Sequence, residues 1–402
     1  MAEKDPPAVR AEAPATRRER RKARKSRPRK SAAEPSEQRR AGVRPSEPAP
    51  ARAIAEPGLA NIGRQSYAAL DLGTNNCRLL IARPAGEHFT VIDAFSRVVR
   101  LGEGIAQTGL LSDAAMQRTL AALRVCADKL VRRNVVLARS VATEACRRAA
   151  NGAEFIDKVR EETGIALDII SAREEARLAV LGCHVLLEPG NGPAMIFDIG
   201  GGSTELVLIE STDTVPRILD WQSVPWGVVS LTESFGQEGA TQSERLDRYA
   251  RMRKTVADGF AEFAERTAPV RRLAQSDGTL RLLGTSGTVT TLASLHLDLP
   301  HYDRRAVDGL VVPAQSMREI SSNISSLSIE ERRELPCIGQ ERADLVVAGC
   351  AILEAILDLW PCVRLGVADR GIREGILRSL IAAHGHGERL RAEVLKLRSD
   401  SR

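Results

Sequence analysis

What this 402-residue chain lacks narrows its identity first. No apolar run reaches the ~18 residues that a membrane-spanning helix needs. The nearest approach, "ADLVVAGCAILEAILDLW" (343–360), is interrupted by Asp344, Glu354 and Asp358 and reads as a largely buried helix of a globular core. The N-terminus carries charge with no apolar stretch behind it, so no secretory signal and no membrane span are expected. Cysteine is present but unorganised. Cys77, Cys126, Cys146, Cys183, Cys337, Cys350 and Cys362 are odd in number, scattered, and never form a C-x-x-C pair. They read as reduced, mostly structural thiols of a cytoplasmic protein.

Acidic and aromatic residues are scarce at one end only. Residues 1–65 hold 17 Lys/Arg against 8 Asp/Glu and no aromatic side chain. The net charge of +6 is therefore +9 on this tail and −3 on the remainder. A segment rich in Arg, Pro, Ala and Ser cannot bury enough apolar area to offset its chain entropy, so a disordered tail is expected over 1–65. Its centre, "RRERRKARKSRPRK" (17–30), has two readings. One is a contact for a polyanion: RNA, an acidic membrane surface or a phosphate polymer. The other is a solvated linker with salt-sensitive stickiness. Composition alone does not choose between them.

Folded sequence begins near Tyr67. Short apolar strands alternate with amphipathic helices such as "SDAAMQRTLAALRVCADKLVRR" (112–133), for which Ser112 is the expected N-cap. "EPGNGP" (188–193) is a turn-rich break and the expected boundary between a first lobe, 66–188, and a second lobe with C-terminal helices, 189–402. Each lobe opens with the same strand–turn–strand unit, "ALDLGTNNCRLLI" (69–81) and "FDIGGGSTELVLIE" (197–210). That repetition predicts a duplicated α/β architecture.

Aligning the two units places Asp71 on Asp198, Gly73 on Gly200, Asn76 on Ser203 and Arg78 on Glu205. Gly200, Gly201 and Gly202 leave backbone N–H groups free to converge on an anion, and Ser203 and Thr204 add hydroxyl donors. Thr74, Asn75 and Asn76 are the polar residues of the first turn. The competing reading is a tight hairpin with no ligand. An aspartate beside a phosphate nest would repel the phosphate unless a cation stands between them, and Mg2+ suits Asp71, Asp198 and the third carboxylate, Glu205. Arg78 offers direct contact to phosphate. "GTSGT" (284–288), with Ser286 at its centre, is a third small-residue turn at a strand-to-helix junction. It is an anion site or a plain turn. In "SAREEARLAVLG" (171–182), Glu174 and Glu175 open a helix. They either complement its dipole or place a carboxylate in the cleft to activate water.

In order, "ALDLGTNNCRLLIA", "VATEACRRAANG", "IISAREEARLAVLG", "IFDIGGGSTELVLIE", "GTSGT" and "DRGIREGIL" resemble the exopolyphosphatase / guanosine pentaphosphate phosphohydrolase family of the actin-like ATPase superfamily. The resemblance runs from about Tyr67 to about residue 385. It implies two ribonuclease-H-like lobes around a phosphate cleft and Mg2+-dependent hydrolysis of a terminal phosphoanhydride. The substrate would be inorganic polyphosphate or guanosine pentaphosphate. By the same resemblance Glu175 is the residue acting on water, Asp71 and Asp198 are the loop aspartates, Ser203, Thr204 and Glu205 follow the glycines, and Arg147 is the arginine of "CRRAAN". A homodimer is a further expectation. Two departures stand out. Ser171-Ala172-Arg173 replaces the usual Ser-Gly, and a left-handed Ala172 would cost energy. The chain also stops near 402, without the C-terminal helical domains of longer members, which puts processivity on long chains in doubt.

Two other classes remain. An actin-like kinase requires an adenosine pocket that the sequence does not reveal. A non-catalytic sensor of phosphorylated alarmones is opposed by the presence of Glu175 with all three loop carboxylates.

Overall fold

The computed structural model describes residues 65–399 apart from 87, 191 and 213–215, with side chains as far as 385. The expectations for the basic tail lie outside the described residues, Gln65 excepted. Two sheets organise the rest. The first holds β1 (Ser66–Leu72), β2 (Asn76–Ala85), β3 (His88–Val98), β4 (Val135–Ala142) and β5 (Leu167–Ile169) in the order β3-β2-β1-β4-β5. The second holds β6 (Pro193–Ile199), β7 (Thr204–Glu210), β8 (Arg217–Val224), β9 (Arg281–Thr285), β10 (Val311–Pro313) and β11 (Arg364–Ala368) in the order β10-β11-β9-β6-β7-β8.

With β6 laid on β1, the run β8-β7-β6-β9-β11 repeats β3-β2-β1-β4-β5. In each case an antiparallel meander of three strands is followed by two parallel ones. This is the α/β architecture of two ribonuclease-H-like lobes, with β10 added to the second sheet. The inner strands are buried on both faces, which is why β1 and β6 read as near-continuous apolar runs broken only near their ends by Asp71 and Asp198.

The helices start where small hydroxyl side chains cap them. Ser112 Oγ accepts from Ala115 N at 3.3 Å and opens α1 (Asp113–Arg132). The short α2 (Glu144–Arg148) and α3 (Gly152–Thr163) follow, the latter closed by Gly164 at φ 71°. Ser171 caps α4 (Ala172–Cys183), with Glu174 N donating to its Oγ at 3.2 Å. Ala172 is simply the first helical residue and is not left-handed, so the strain anticipated there does not arise. In the second lobe come α5 (Val228–Ser234), α6 (Gln242–Ser276), α7 (Gly287–His296), α8 (Val346–Leu359) and α9 (Ile372–Ser399). α6 continues through Pro269 to Ser276, because the buried residues Phe263, Thr267 and Ala274 extend its packed face past the proline. As expected, α8 is a buried core helix, with every residue buried except Asp358.

Two helices change partners between the sheets. Ala176, Val180 and Cys183 of α4 pack with Ala194, Ile196, Val207 and Ile209 of the second sheet. Ile372, Ile376 and Leu377 of α9 pack with Tyr67, Ala69, Leu80 and Val141 of the first. Each sheet is thus covered by a helix that the chain reaches from the other side. The two helices cross in backbone contact. A Cβ on Gly182 would stand 1.9 Å from Gly371 O, and one on Gly375 would stand 2.0 Å from Leu178 O. Only glycine permits that approach. Among the described residues no helix is long and apolar enough to cross a membrane, and all seven cysteines are unpaired.

Candidate active site

The two repeated turns come out as matching hairpins. Gly73 N donates to Asn76 O at 2.9 Å, and Gly200 N donates to Ser203 O at 2.9 Å. In register, Asp71 lies opposite Arg78 and Asp198 opposite Glu205, as the alignment of the repeats requires. The hairpins meet tip to tip. A Cβ on Gly201 would fall 2.9 Å from Thr74 Cβ, and one on Gly202 would fall 2.7 Å from Thr74 Oγ1 and 2.9 Å from Glu144 Cγ. The triple glycine therefore has a packing reason as well as a chemical one.

The chemical reason survives this. Gly200 O and Gly201 O accept from Val228 N and Val229 N at the start of α5, at 3.0 and 2.8 Å. Because a carbonyl and the next N–H point in opposite directions across a planar peptide, the N–H groups of Gly201 and Gly202 turn away from α5. Neither has a backbone acceptor among the described residues.

One cavity gathers most of the expected site. Asp71, Thr74, Asn75, Asn76 and Arg78 line it from the first lobe, Gly200 to Ser203 with Asp198 and Glu205 line it from the second, and Glu175 reaches it from α4. The third turn arrives as β9–Ser286–α7, and Ser286, Gly287 and Thr288 complete the wall. Ser286 holds φ 151°, a conformation L-residues rarely adopt, while its Oγ caps α7 by accepting from Val289 N at 3.3 Å. Backbone strain at a helix start facing a polar cavity is a mark of a functional turn.

Two expected residues are not on the wall. Thr204 is fully buried, and its hydroxyl donates to Trp226 O at 2.7 Å. Arg147 stands behind the cavity. Its five N–H groups go to Glu144 (3.0 and 2.6 Å), Glu175 (3.1 and 3.1 Å) and Ile170 O (2.7 Å), so its donor set is fully used. It fixes the Glu175 carboxylate. Glu174 faces elsewhere, bound by Arg139 and Arg177.

Charge is crowded here. Burial, and then the charge of Glu205, raises the Glu175 pKa well above the carboxylate range, with Arg147 opposing. Burial and the neighbouring Glu205 and Asp71 push Asp198 up to about 8. Asp71 and Glu205 are raised chiefly by burial; Glu205 is restrained by hydrogen bonds from Ser203 (2.7 Å) and Ser223 (2.9 Å). Carboxylates that raise one another in a polar cleft suit a cation. Asp71 and Asp198 have no hydrogen-bond donor among the described residues, and the donor set is oxygen alone. Among the described residues no three His, Cys, Asp or Glu side chains are grouped closely enough to hold a metal ion between them. A Mg2+ ion there would keep several of its waters and take only some of these carboxylates directly.

Sequence reasoning missed Glu144, Arg342 and Arg373. Glu144 and Arg342 line the cavity, and Arg373 lines the adjoining chamber with Asp71 and Asp198. Glu144 stands three residues before Arg147, the spacing of a helical ion pair, and could have been read with it. Arg373 lies in the "DRGIREGIL" motif, from which no residue was drawn. Arg342 carried no signal.

A family model described as the Ppx/GppA phosphatase family matches residues 80–384. Exopolyphosphatase 2 of Mycobacterium tuberculosis is 30% identical over 326 residues, 78% of this chain and 98% of that protein. Among solved structures, the Aquifex aeolicus member of the Ppx/GppA protein family shows 29% identity and a TM-score of 0.64, covering 79% of this chain and 98% of that one. An exopolyphosphatase from Cytophaga hutchinsonii shares the fold, with a TM-score of 0.68 at 23% identity over 79% and 98% of the two chains.

Proposed function

Because the chain belongs to the Ppx/GppA phosphatase family and is a hydrolase acting on phosphoric anhydrides, we propose that it removes the terminal phosphate of inorganic polyphosphate as orthophosphate. The observation carrying this reading is the convergence on one cavity of two matched hairpins, a strained helix start and the buried Glu175. The name of the Mycobacterium tuberculosis relative, an exopolyphosphatase, favours polyphosphate.

In this proposal the terminal phosphate lies between the two hairpin tips, against the N–H groups of Gly201 and Gly202 and the turn at Thr74–Asn76. Arg78 and the start of α7 meet the charge that develops as the bond loosens. Glu175, held by Arg147, takes the proton of the attacking water as its oxygen bonds to phosphorus and the P–O bond to the rest of the polymer breaks. Burial makes Glu175 a strong proton acceptor, and neutralising its neighbour Glu205 keeps it ionised. Mg2+ bound by Asp71, Asp198 and Glu205 would supply positive charge to the phosphate oxygens. The unpaired thiols, buried except at the half-buried Cys337 and Cys362, suit a reducing cytoplasm.

Phosphate release from long polyphosphate, short polyphosphate, guanosine pentaphosphate and ATP, with Mg2+ and with EDTA, tests this. The highest kcat/KM on polyphosphate, lost in EDTA, is expected. A clear preference for guanosine pentaphosphate would reassign the substrate. No turnover of any of them would end the catalytic proposal.

A further inference from the structure

Next to the main cavity lies a smaller polar chamber. Asp71, Arg78, Asp198, Ser286, Asp369 and Arg373 line it. The first four also line the main cavity, whereas Glu175 and the loop glycines line only the latter. Asp71 and Asp198 thus stand in a shared wall, and the chamber reaches them from a side that Glu175 does not face. It is small, of the order of one compact polyatomic group, and partly open to solvent.

Arg373 is the residue without an explanation. It sits in the first turn of α9, deep enough that burial lowers its pKa, with Glu374, Asp71 and Asp369 opposing and Arg78 adding to the shift. The carboxylates nearest to it along the chain are engaged. Glu374 accepts from Arg304 at 3.0 Å and from Gly371 N at 2.9 Å, and Asp369 pairs with Arg304 at 2.9 Å. The neighbouring Arg370 has its own partner in Asp308 at 2.8 Å. No hydrogen bond or ion pair joins Arg373 or Arg78 to any described residue. The Asp71 carboxylate feels the charge of both guanidiniums but is hydrogen-bonded to neither, so their N–H forks stay free for an anion with several acceptor oxygens.

We propose that Arg373 and Arg78 together clamp one phosphate group in this chamber, beside Asp71 and Asp198. The group is either a phosphate unit of the substrate other than the one held between the hairpin tips, or the orthophosphate once it has left them. The inference rests on the phosphoanhydride-hydrolase reading for its ligand, and on the unpaired guanidiniums for its place.

The test compares wild type, Arg373→Gln and Arg373→Lys in the full chain, with circular dichroism and Tm to confirm folding. Inorganic phosphate is the probe. It should raise the Tm of wild type and leave that of Arg373→Gln unmoved. In turnover, a rise of ~10-fold or more in the Ki of orthophosphate assigns the clamp to the product. A comparable rise in the KM for polyphosphate assigns it to that second unit of the substrate. Lysine should fall between the two, because it restores charge without the planar fork, and it carries the test if the glutamine variant does not fold. Unchanged phosphate stabilisation, Ki and KM in both folded variants would overturn the clamp and leave the proposed activity standing. A wild type that turns over no phosphoanhydride, yet shows phosphate stabilisation that Arg373→Gln abolishes, would do the reverse.

Discussion

The two hairpins share a backbone and differ in charge. Both run Asp-apolar-Gly into a tight turn with the same hydrogen bond across it. Yet the residue opposite Asp71 is Arg78, and the residue opposite Asp198 is Glu205. Duplication has kept the geometry and divided the chemistry. The first hairpin presents a cation to the cavity, and the second presents a second carboxylate, hydrogen-bonded by Ser203 and Ser223. Neither carries the proposed proton acceptor, Glu175, which reaches the cavity from α4.

The largest expected effect tests that last statement. Glu175→Gln should lower kcat by ~10²–10⁴ while the protein stays folded, and unimpaired turnover would show that one of the hairpins supplies the base after all. Next comes the charge difference itself. Arg78→Met should lower kcat/KM by ~10²–10³, the scale of losing a cationic contact to a transferring phosphoryl group. The exchange double variant Arg78→Glu/Glu205→Arg should be no better, since the two hairpins face different partners. Recovery of activity in the exchange would mean that they are interchangeable. Glu205→Gln should cost ~10–100-fold and raise the Mg2+ concentration needed for half-maximal rate. An unchanged Mg2+ requirement would remove Glu205 from the cation site.

A smaller effect concerns stability. With a pKa of about 8 in the folded protein against the ordinary 3.8, Asp198 binds a proton in the folded state that it releases on unfolding. Its contribution is therefore fully present below about pH 4 and lost as pH rises through about 8. Without metal, Asp198→Asn should exceed wild type in Tm by roughly 2–5 °C at pH 8, with the gap closing toward pH 4. Added Mg2+ should stabilise wild type and not the variant. The smallest effect is expected at Thr204, where valine should leave kcat/KM within about threefold and cost ~1 kcal/mol of stability from the lost bond to Trp226.

Local chemistry made much of this legible in the sequence. The hairpins could be read because strand, turn and strand are contiguous, so the pairing of Asp198 with Glu205 follows from turn length alone. The Ser112 and Ser171 caps and the Gly164 stop are likewise local. What was hidden depends on distant elements. Arg147 is surrounded by Glu144, Glu175 and Ile170, which shows that its guanidinium is fully used only once α2, α4 and β5 are assembled. Thr204 looks like a loop donor in the string, but as the first residue of β7 it points its hydroxyl into the fold. Arg373 is some 300 residues from Arg78, and no periodicity links them.

The exchange of α4 and α9 bears on how the molecule comes apart. A chain cut near residue 188 would leave the first sheet without α9 across its Tyr67 face and the second without its share of α4, exposing apolar surface on both fragments. Neither fragment should be soluble alone, though co-expressed halves could reassemble into a working enzyme. Heating the intact chain should give one cooperative transition rather than two. In the assembled protein the glycines at the crossing let the two backbones touch, so each helix braces the other against the sheet it has borrowed.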